Sequence, residues 1–132
     1  MAATGIRSMS LVIVPVTDQD RSIDFYVNSL GLEKRTDMEF GGNMRWVEVY
    51  APESSTGVAL SAPPPGQEVT PQSTGITFTS DDIDTTHAEL TSRGVDVDAE
   101  VMRHGGPVPP MFWFRDPDGH SLLVVESMEQ AA

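Results

Sequence analysis

Two short segments of the chain carry side chains that could bind a ligand. The candidates alternate along RWVEVY and MFWFR and are Trp46, Glu48, Tyr50, Met111, Trp113 and Arg115. Because successive side chains of a β-strand point to opposite faces, each triplet lies on one face of its strand. Indole rings stack on planar molecules and attract cations, and the charged groups add polar contacts. The pattern predicts a site for a small organic molecule, planar or cationic; two solvated strand faces are the alternative.

Other combinations of reactive side chains are weak. His87, His104 and His120 lie on separate predicted elements without metal-ligand spacing, and the chain has no cysteine. His87 and His120 are expected to be structural, whereas His104, in the loop RHGGPVPP, is a candidate base. The sequence has no evident Ser/His/Asp set, glycine-rich phosphate loop or paired carboxylates. It therefore predicts no catalytic residue, no metal and no cofactor.

Two copies of one βαβββ unit are predicted to position these residues. Each copy opens with an apolar strand, at residues 11–16 and 75–79, and an aspartate after the strand signals the start of a helix. The interval between these aspartates, Asp18 and Asp81, equals the interval between the glycines that end the two helices, Gly31 and Gly94. This equal spacing indicates an internal duplication.

Each predicted copy is completed by three extended stretches. They span residues 32–40, 45–50 and 56–61 in the first copy and 95–102, 111–115 and 120–126 in the second. The proline-rich segment 62–74 cannot form a central strand or a helix interior, so it is the predicted linker. We expect one α+β domain over residues 1–132, with a first unit at 7–61 and a second unit at 75–127.

Alternation along the strands separates two faces of the predicted sheets. One face is entirely apolar and should pack against the helices: Val12, Val14, Val47, Val49, Val58, Leu60, Ile76, Phe78, Phe112, Phe114, Leu122 and Val124. The other face mixes aromatic, hydroxyl and charged side chains with apolar ones, and it contains the six candidates for ligand contact. A face of mixed polarity is typical of a lined cavity, which predicts a cup between the two units.

The opening LVIVPVTDQDRSIDFYVNSLGL and the ending MFWFRDPDGHSLLVVE resemble the vicinal oxygen chelate superfamily. This superfamily includes glyoxalase I, bleomycin resistance proteins and extradiol dioxygenases. The resemblance covers residues 7–127, and it implies two βαβββ units that form a curved mixed sheet around a ligand cup. In the superfamily's enzymes, His, Gln or Glu side chains on four strands hold a divalent metal in that cup.

The four metal-ligand positions implied by the resemblance carry no donor side chain here. They fall on Leu11, Ala59, Gly75 and Leu123, none of which can coordinate a metal. The resemblance therefore implies the metal-free, drug-binding branch, whose members bind an antibiotic in a groove between subunits. We expect a homodimer that binds a small organic molecule, with antibiotic sequestration as its role. The alternative is a glyoxalase-like lyase or isomerase, or a dioxygenase, either metal-free with Glu48 or His104 as base or with a metal site that the sequence does not reveal.

Charge and hydropathy restrict the possible partners. The net charge of −12 opposes binding to the phosphate backbone of nucleic acid. No apolar run approaches the roughly 20 residues that span a membrane, and the N-terminus lacks the pattern of a secretory signal. The absence of cysteine fits a cytoplasmic protein. Nucleic acid and membranes are therefore not expected as partners.

Overall fold

The computed structural model describes residues 4–42 and 44–127. Its strands are β1 (Leu11–Pro15), β2 (Glu33–Phe40), β3 (Met44–Tyr50), β4 (Gly57–Ser61), β5 (Ser73–Ser80), β6 (Asp96–Val97), β7 (Met111–Arg115) and β8 (Ser121–Glu126). Its helices are α1 (Gln19–Ile23), which continues as a π-helical segment (Asp24–Ser29), and α2 (Ile83–Ser92). No helix among these residues is both long and apolar enough to cross a membrane.

The strands form two mixed four-stranded sheets with the same topology. The first sheet has the order β1-β4-β3-β2 and the second has the order β5-β8-β7-β6. In each sheet the first and last strands of the unit pair in parallel, and the remaining neighbours are antiparallel. The predicted α+β fold of two βαβββ units is confirmed.

Helix α1 begins as predicted but changes its geometry halfway. The Asp18 side chain caps it by accepting a 3.0 Å hydrogen bond from the backbone N–H of Arg21. From Asp24 onward the helix widens, and Leu30 donates to the carbonyl of Phe25, five residues earlier. The regular amphipathic helix expected here was therefore wrong for its second half. The widened turn accompanies contacts of Phe25 with the second unit.

The helix-facing sides of both sheets contribute to one core. Its buried members include Val14, Val47, Val49, Val58, Leu60, Phe112, Phe114, Leu122 and Val124, together with Tyr26 from the π-helical segment and Leu90 from α2. The predicted apolar face is confirmed, with Val12, Ile76 and Phe78 half-buried at its margins. The opposite faces of the two sheets, called the outer faces below, lie outside this core.

The second unit departs from the predicted boundaries at two places. Strand β5 begins at Ser73, two residues before the expected start, and its register shifts at Gly75, which has a φ of 75°. The extended stretch predicted at 95–102 is reduced to the two residues of β6 and an isolated bridge at Met102. After β6 the backbone N–H of Asp98 still bonds to Trp113, and the chain then leaves the sheet.

Candidate functional site

Three candidate residues of β3 form a ladder of hydrogen bonds on the outer face of the first sheet. The indole N–H of Trp46 donates to Oε2 of Glu48 at 2.6 Å, and the hydroxyl of Tyr50 donates to Oε1 at 2.6 Å. All three side chains are half-buried. The hydrogen bond to Glu48 raises the pKa of Tyr50, and burial adds to this effect. Alternation therefore brings these three residues together, and the result is a carboxylate held by two neutral donors.

The ring of Tyr50 contacts two residues that sequence reasoning missed. One is Gly57, where an added Cβ would lie 2.6 Å from the ring. The other is Arg35, whose guanidinium lies 4.5 Å from the ring centroid, in cation–π contact. A glycine inside a predicted strand is a known sign of close approach by another group, so Gly57 could have been noticed.

Arg35 reaches Tyr50 because β2 contains an irregularity. The register of β2 against β3 shifts between Lys34 and Thr36, and a bulge of this kind re-aims the extra side chain. Arg35 also donates to the backbone carbonyls of the loop that follows β3, at residues 51, 52 and 54. Nothing in the alternation of the sequence reveals this bulge.

The other three candidates lie on β7, on the outer face of the second sheet. Met111 and Trp113 are half-buried, and Trp113 pairs in register with Leu123 of β8. Arg115 is bound to two acids, with Nη1 at 2.8 Å from Asp98 and Nη2 at 2.9 Å from Asp96. The pairing with Arg115 lowers the pKa of Asp96. The charge of Arg115 is therefore already neutralised.

No hydrogen bond, ion pair or ring contact found among the described residues joins the two triplets. Trp46, Glu48 and Tyr50 bond to one another and to Arg35 of the first unit, and Arg115 bonds to Asp96 and Asp98 of the second unit. The first outer face is open, with Ile13 61% and Met38 59% exposed, and Phe40 and Met44 about half exposed. The face around Trp46 therefore exposes large apolar side chains, and the cup between the two units stays a prediction.

A cleft of about 230 Å³ does lie between the two units, but on their helix-facing side. It is lined mainly by apolar side chains, including Leu30, Leu32, Phe78, Leu90 and Phe114. Among the described residues that line it, none belongs to the six candidates for ligand contact. This cleft is distinct from the predicted cup.

The four positions that correspond to the superfamily's metal ligands are Leu11, Ala59, Gly75 and Leu123, and none has a side-chain atom that could bind an ion. Leu11 pairs in register with Gly57, and Ala59 pairs with Ile13. The cross-strand neighbours of these two positions therefore have no donor side chain either. Leu123 pairs with Thr77 of β5. These residues do not fit the four-ligand metal centre that the resemblance implies.

One cluster elsewhere has metal-binding side chains in proximity. Ligand atoms of Asp116, Asp118 and His120 lie within 4.8 Å of one another. Their atoms are already engaged: Asp116 accepts from Tyr26, and Asp118 accepts from the backbone N–H of Thr17. We interpret the cluster as a junction between the units, because these bonds cross from the second unit to the first.

The two histidines predicted to be structural, His87 and His120, are hydrogen-bonded to the backbone. His120 is fully buried, and its Nδ1 accepts from the backbone N–H of Gln72, while Nε2 donates to the carbonyl of Pro15 at 2.7 Å. His87 is half-buried, with Nε2 2.7 Å from the carbonyl of Asp98. His104 lies exposed in the loop before β7.

The chain belongs to the Glyoxalase/Bleomycin resistance protein/Dioxygenase superfamily, whose family model matches residues 8–124. The resemblance noted from the sequence is confirmed. No curated protein matches the chain.

Several solved structures are similar over nearly their whole length. A member of the same superfamily from Sphaerobacter thermophilus DSM 20745 is 37% identical, with 92% of this chain and 98% of that chain covered and a TM-score of 0.80. TnmS3, an antibiotic binding protein from Streptomyces sp. CB03234, is 29% identical, with coverages of 94% and 98% and a TM-score of 0.79. A glyoxalase/bleomycin resistance protein from the same Streptomyces strain is 30% identical, with coverages of 89% and 99% and a TM-score of 0.73.

Proposed function

We propose that this chain binds a small organic molecule without a metal ion and that its role is to sequester an antibiotic. The observation that carries the proposal is the Trp46–Glu48–Tyr50 ladder on an open, partly apolar sheet face. Such a surface offers a ring for stacking, a charge for orientation and apolar area for burial. The similarity to TnmS3, described as an antibiotic binding protein, supports the same class of ligand.

The absence of donor side chains at Leu11, Ala59, Gly75 and Leu123 supports binding without a metal. An enzyme of this superfamily that polarises its substrate with an ion would need three or four such donors. Binding is therefore favoured over catalysis.

The proposed site is completed by a second copy of the chain. The outer face of the first sheet exposes large apolar residues, which isolated soluble subunits rarely leave uncovered in one patch. In a homodimer the Trp113 face of the partner would cover the Trp46 face and enclose the ligand. The lack of cysteine supports the cytoplasm as the place of action.

A ligand screen tests this function directly. The purified chain is heated with members of a library of antibiotics and metabolites, and hits are titrated while tryptophan fluorescence is recorded. We expect at least one antibiotic to raise the melting temperature and change the emission, because Trp46 and Trp113 are the chain's two tryptophans. Hits that require added zinc, iron, nickel or manganese would instead support the metal-dependent alternative.

A further inference from the structure

The charge of Glu48 is fixed in place but not neutralised. Its two hydrogen-bond donors, Trp46 and Tyr50, are both neutral. Glu48 takes part in none of the ion pairs formed among the described residues. In contrast, Arg115 on the other outer face is paired with two acids. Glu48 therefore keeps its negative charge without an ion-pair partner, whereas Asp96 and Asp98 on the second outer face are both paired with Arg115.

The surrounding residues hold the carboxylate in one orientation. Tyr50 is in close contact with Gly57 and with the guanidinium of Arg35, and these contacts support the hydrogen bond from its hydroxyl to Glu48. Arg35 is itself tied to the loop carbonyls and to Glu33 at 3.0 Å. A group held in this way loses little conformational entropy when a ligand binds. Arg35 and Gly57 act here as positioning residues.

We infer that Glu48 makes the site selective for planar cations, that is, ring systems carrying a protonated nitrogen. This inference rests on the proposed function and specifies its ligand class. A neutral ring laid against Glu48 would remove the carboxylate from water without supplying a counter-charge, which is unfavourable. A ring with a cationic N–H would supply both the counter-charge and a charge-assisted hydrogen bond, while Trp46 stacks on its face.

Two dyes with the same ring system test this selectivity. At mildly alkaline pH, 9-aminoacridine is a planar cation and acridine is neutral. Both are titrated into the full chain at physiological ionic strength, with dye and tryptophan fluorescence as readouts. We expect the wild type to bind the cation more tightly. Glu48→Gln should weaken binding of 9-aminoacridine about tenfold or more, as expected for loss of a hydrogen bond to a charged group. It should leave binding of acridine unchanged or make it tighter, because a neutral amide costs less to remove from water than a carboxylate does.

Two further variants separate local charge from general acidity and from damage to the fold. Glu39→Gln removes the same charge from the same sheet. Glu39 lies on the opposite, helix-facing side, where it is in register with Arg45 of β3. We expect it to bind both dyes like the wild type. Tyr50→Phe removes one hydrogen bond from Glu48 but keeps the charge, so the preference for the cation should persist. A circular dichroism melt of each variant verifies folding.

Three results would overturn the inference. Equal losses in Glu39→Gln and Glu48→Gln would mean that the cation responds only to the net charge of −12. Equal binding of both dyes, with no effect of Glu48→Gln, would leave a ring-binding face without charge selection, and the proposed function would stand. If neither dye binds, planar-cation selectivity fails, while the proposed function is decided by the antibiotic screen.

Discussion

The hydroxyl of Tyr26 donates a 2.8 Å hydrogen bond to Oδ2 of Asp116, which lies 90 residues further along the chain. Tyr26 is fully buried, and Asp116 is 6% exposed. The other carboxylate oxygen of Asp116 accepts from the backbone N–H groups of Asp118 and His120. Burial, followed by the charge of Asp116, holds the pKa of Tyr26 far above its usual value. This contact joins the helix of the first unit to the last turn of the second.

Tyr26→Phe should destabilise the chain by about 1.5–3 kcal/mol, the range for a hydrogen bond to a charged group. Its effect should also depend on pH. Because the folded-state pKa is raised, the stability associated with neutral Tyr26 is complete below the unfolded pKa of about 10 and is lost as the pH rises above it. Urea unfolding at neutral pH and at several alkaline values measures both effects.

The variant Tyr50→Phe is the matched control, since Tyr26 and Tyr50 are the chain's two tyrosines. Tyr50→Phe should retain most of the alkaline loss of stability because Tyr26 is intact. If Tyr26→Phe unfolds with the wild-type pH dependence, the buried hydrogen bond is not the source of that loss.

Trp113→Ala and Phe114→Ala should differ in their effect on folding. Phe114 is fully buried in the shared core and stacks near Phe78, with ring centroids 6.3 Å apart. Its removal should cost about 3–5 kcal/mol, as for other large-to-small core changes. Trp113 is half-buried on the outer face, so its removal should cost less and should reduce the ligand-induced fluorescence change to the part reported by Trp46. Two denaturation curves and one ligand titration make the comparison; an equal loss of stability would mean that the face assignment is inverted.

The strands and their faces could be predicted because a period of two residues is written directly in the sequence. Residues 111–115 alternate between buried phenylalanines and half-buried neighbours, and the structure has β7 with those bounds. The start of each helix was likewise visible, since a capping aspartate acts within three residues of itself. Asp18 caps the first helix, and Asp82, the second residue of the pair Asp81-Asp82, caps the second. A single sequence therefore reveals features, such as strand faces and helix caps, that depend on nearby residues at a fixed spacing.

Features that depend on contacts between distant residues were not predicted. The π-helical widening after Ile23 accompanies contacts of Phe25 and Tyr26 with the second unit. The bulge at Arg35 in β2 brings its guanidinium over the ring of Tyr50 in the neighbouring strand β3. Alternation predicts that Trp46, Glu48 and Tyr50 share one face. Their hydrogen bonds could not be predicted, because they depend on the side-chain conformations in the folded protein.

The chain purified without an affinity tag should contain no stoichiometric transition metal. The positions that correspond to the superfamily's metal ligands lack donor side chains. The ligand atoms of Asp116 and His120 already form hydrogen bonds to the first unit. Elemental analysis by plasma mass spectrometry measures the content directly. Near-equimolar zinc, nickel, iron or manganese, removable by a chelator with a fall in melting temperature, would contradict this prediction. Asp118→Asn, which alters the clustered acids, would then show whether the ion lies at that turn.

The chain should be a dimer at micromolar concentration, and a charge on the first outer face should dissociate it. Met38 is 59% exposed and pairs in register with Trp46 on the outer face. Met38→Glu should therefore give a monomer, because a glutamate buried in an apolar contact loses its hydration. Its effect on monomer stability should be within about 0.5 kcal/mol, as for other surface changes. Light scattering behind a sizing column and a urea melt give both quantities.

Ile6→Glu, at a residue that is 84% exposed outside the sheets, is the control and should stay dimeric. A wild-type chain that is monomeric throughout the accessible concentration range would refute the dimer and any ligand groove shared between protomers.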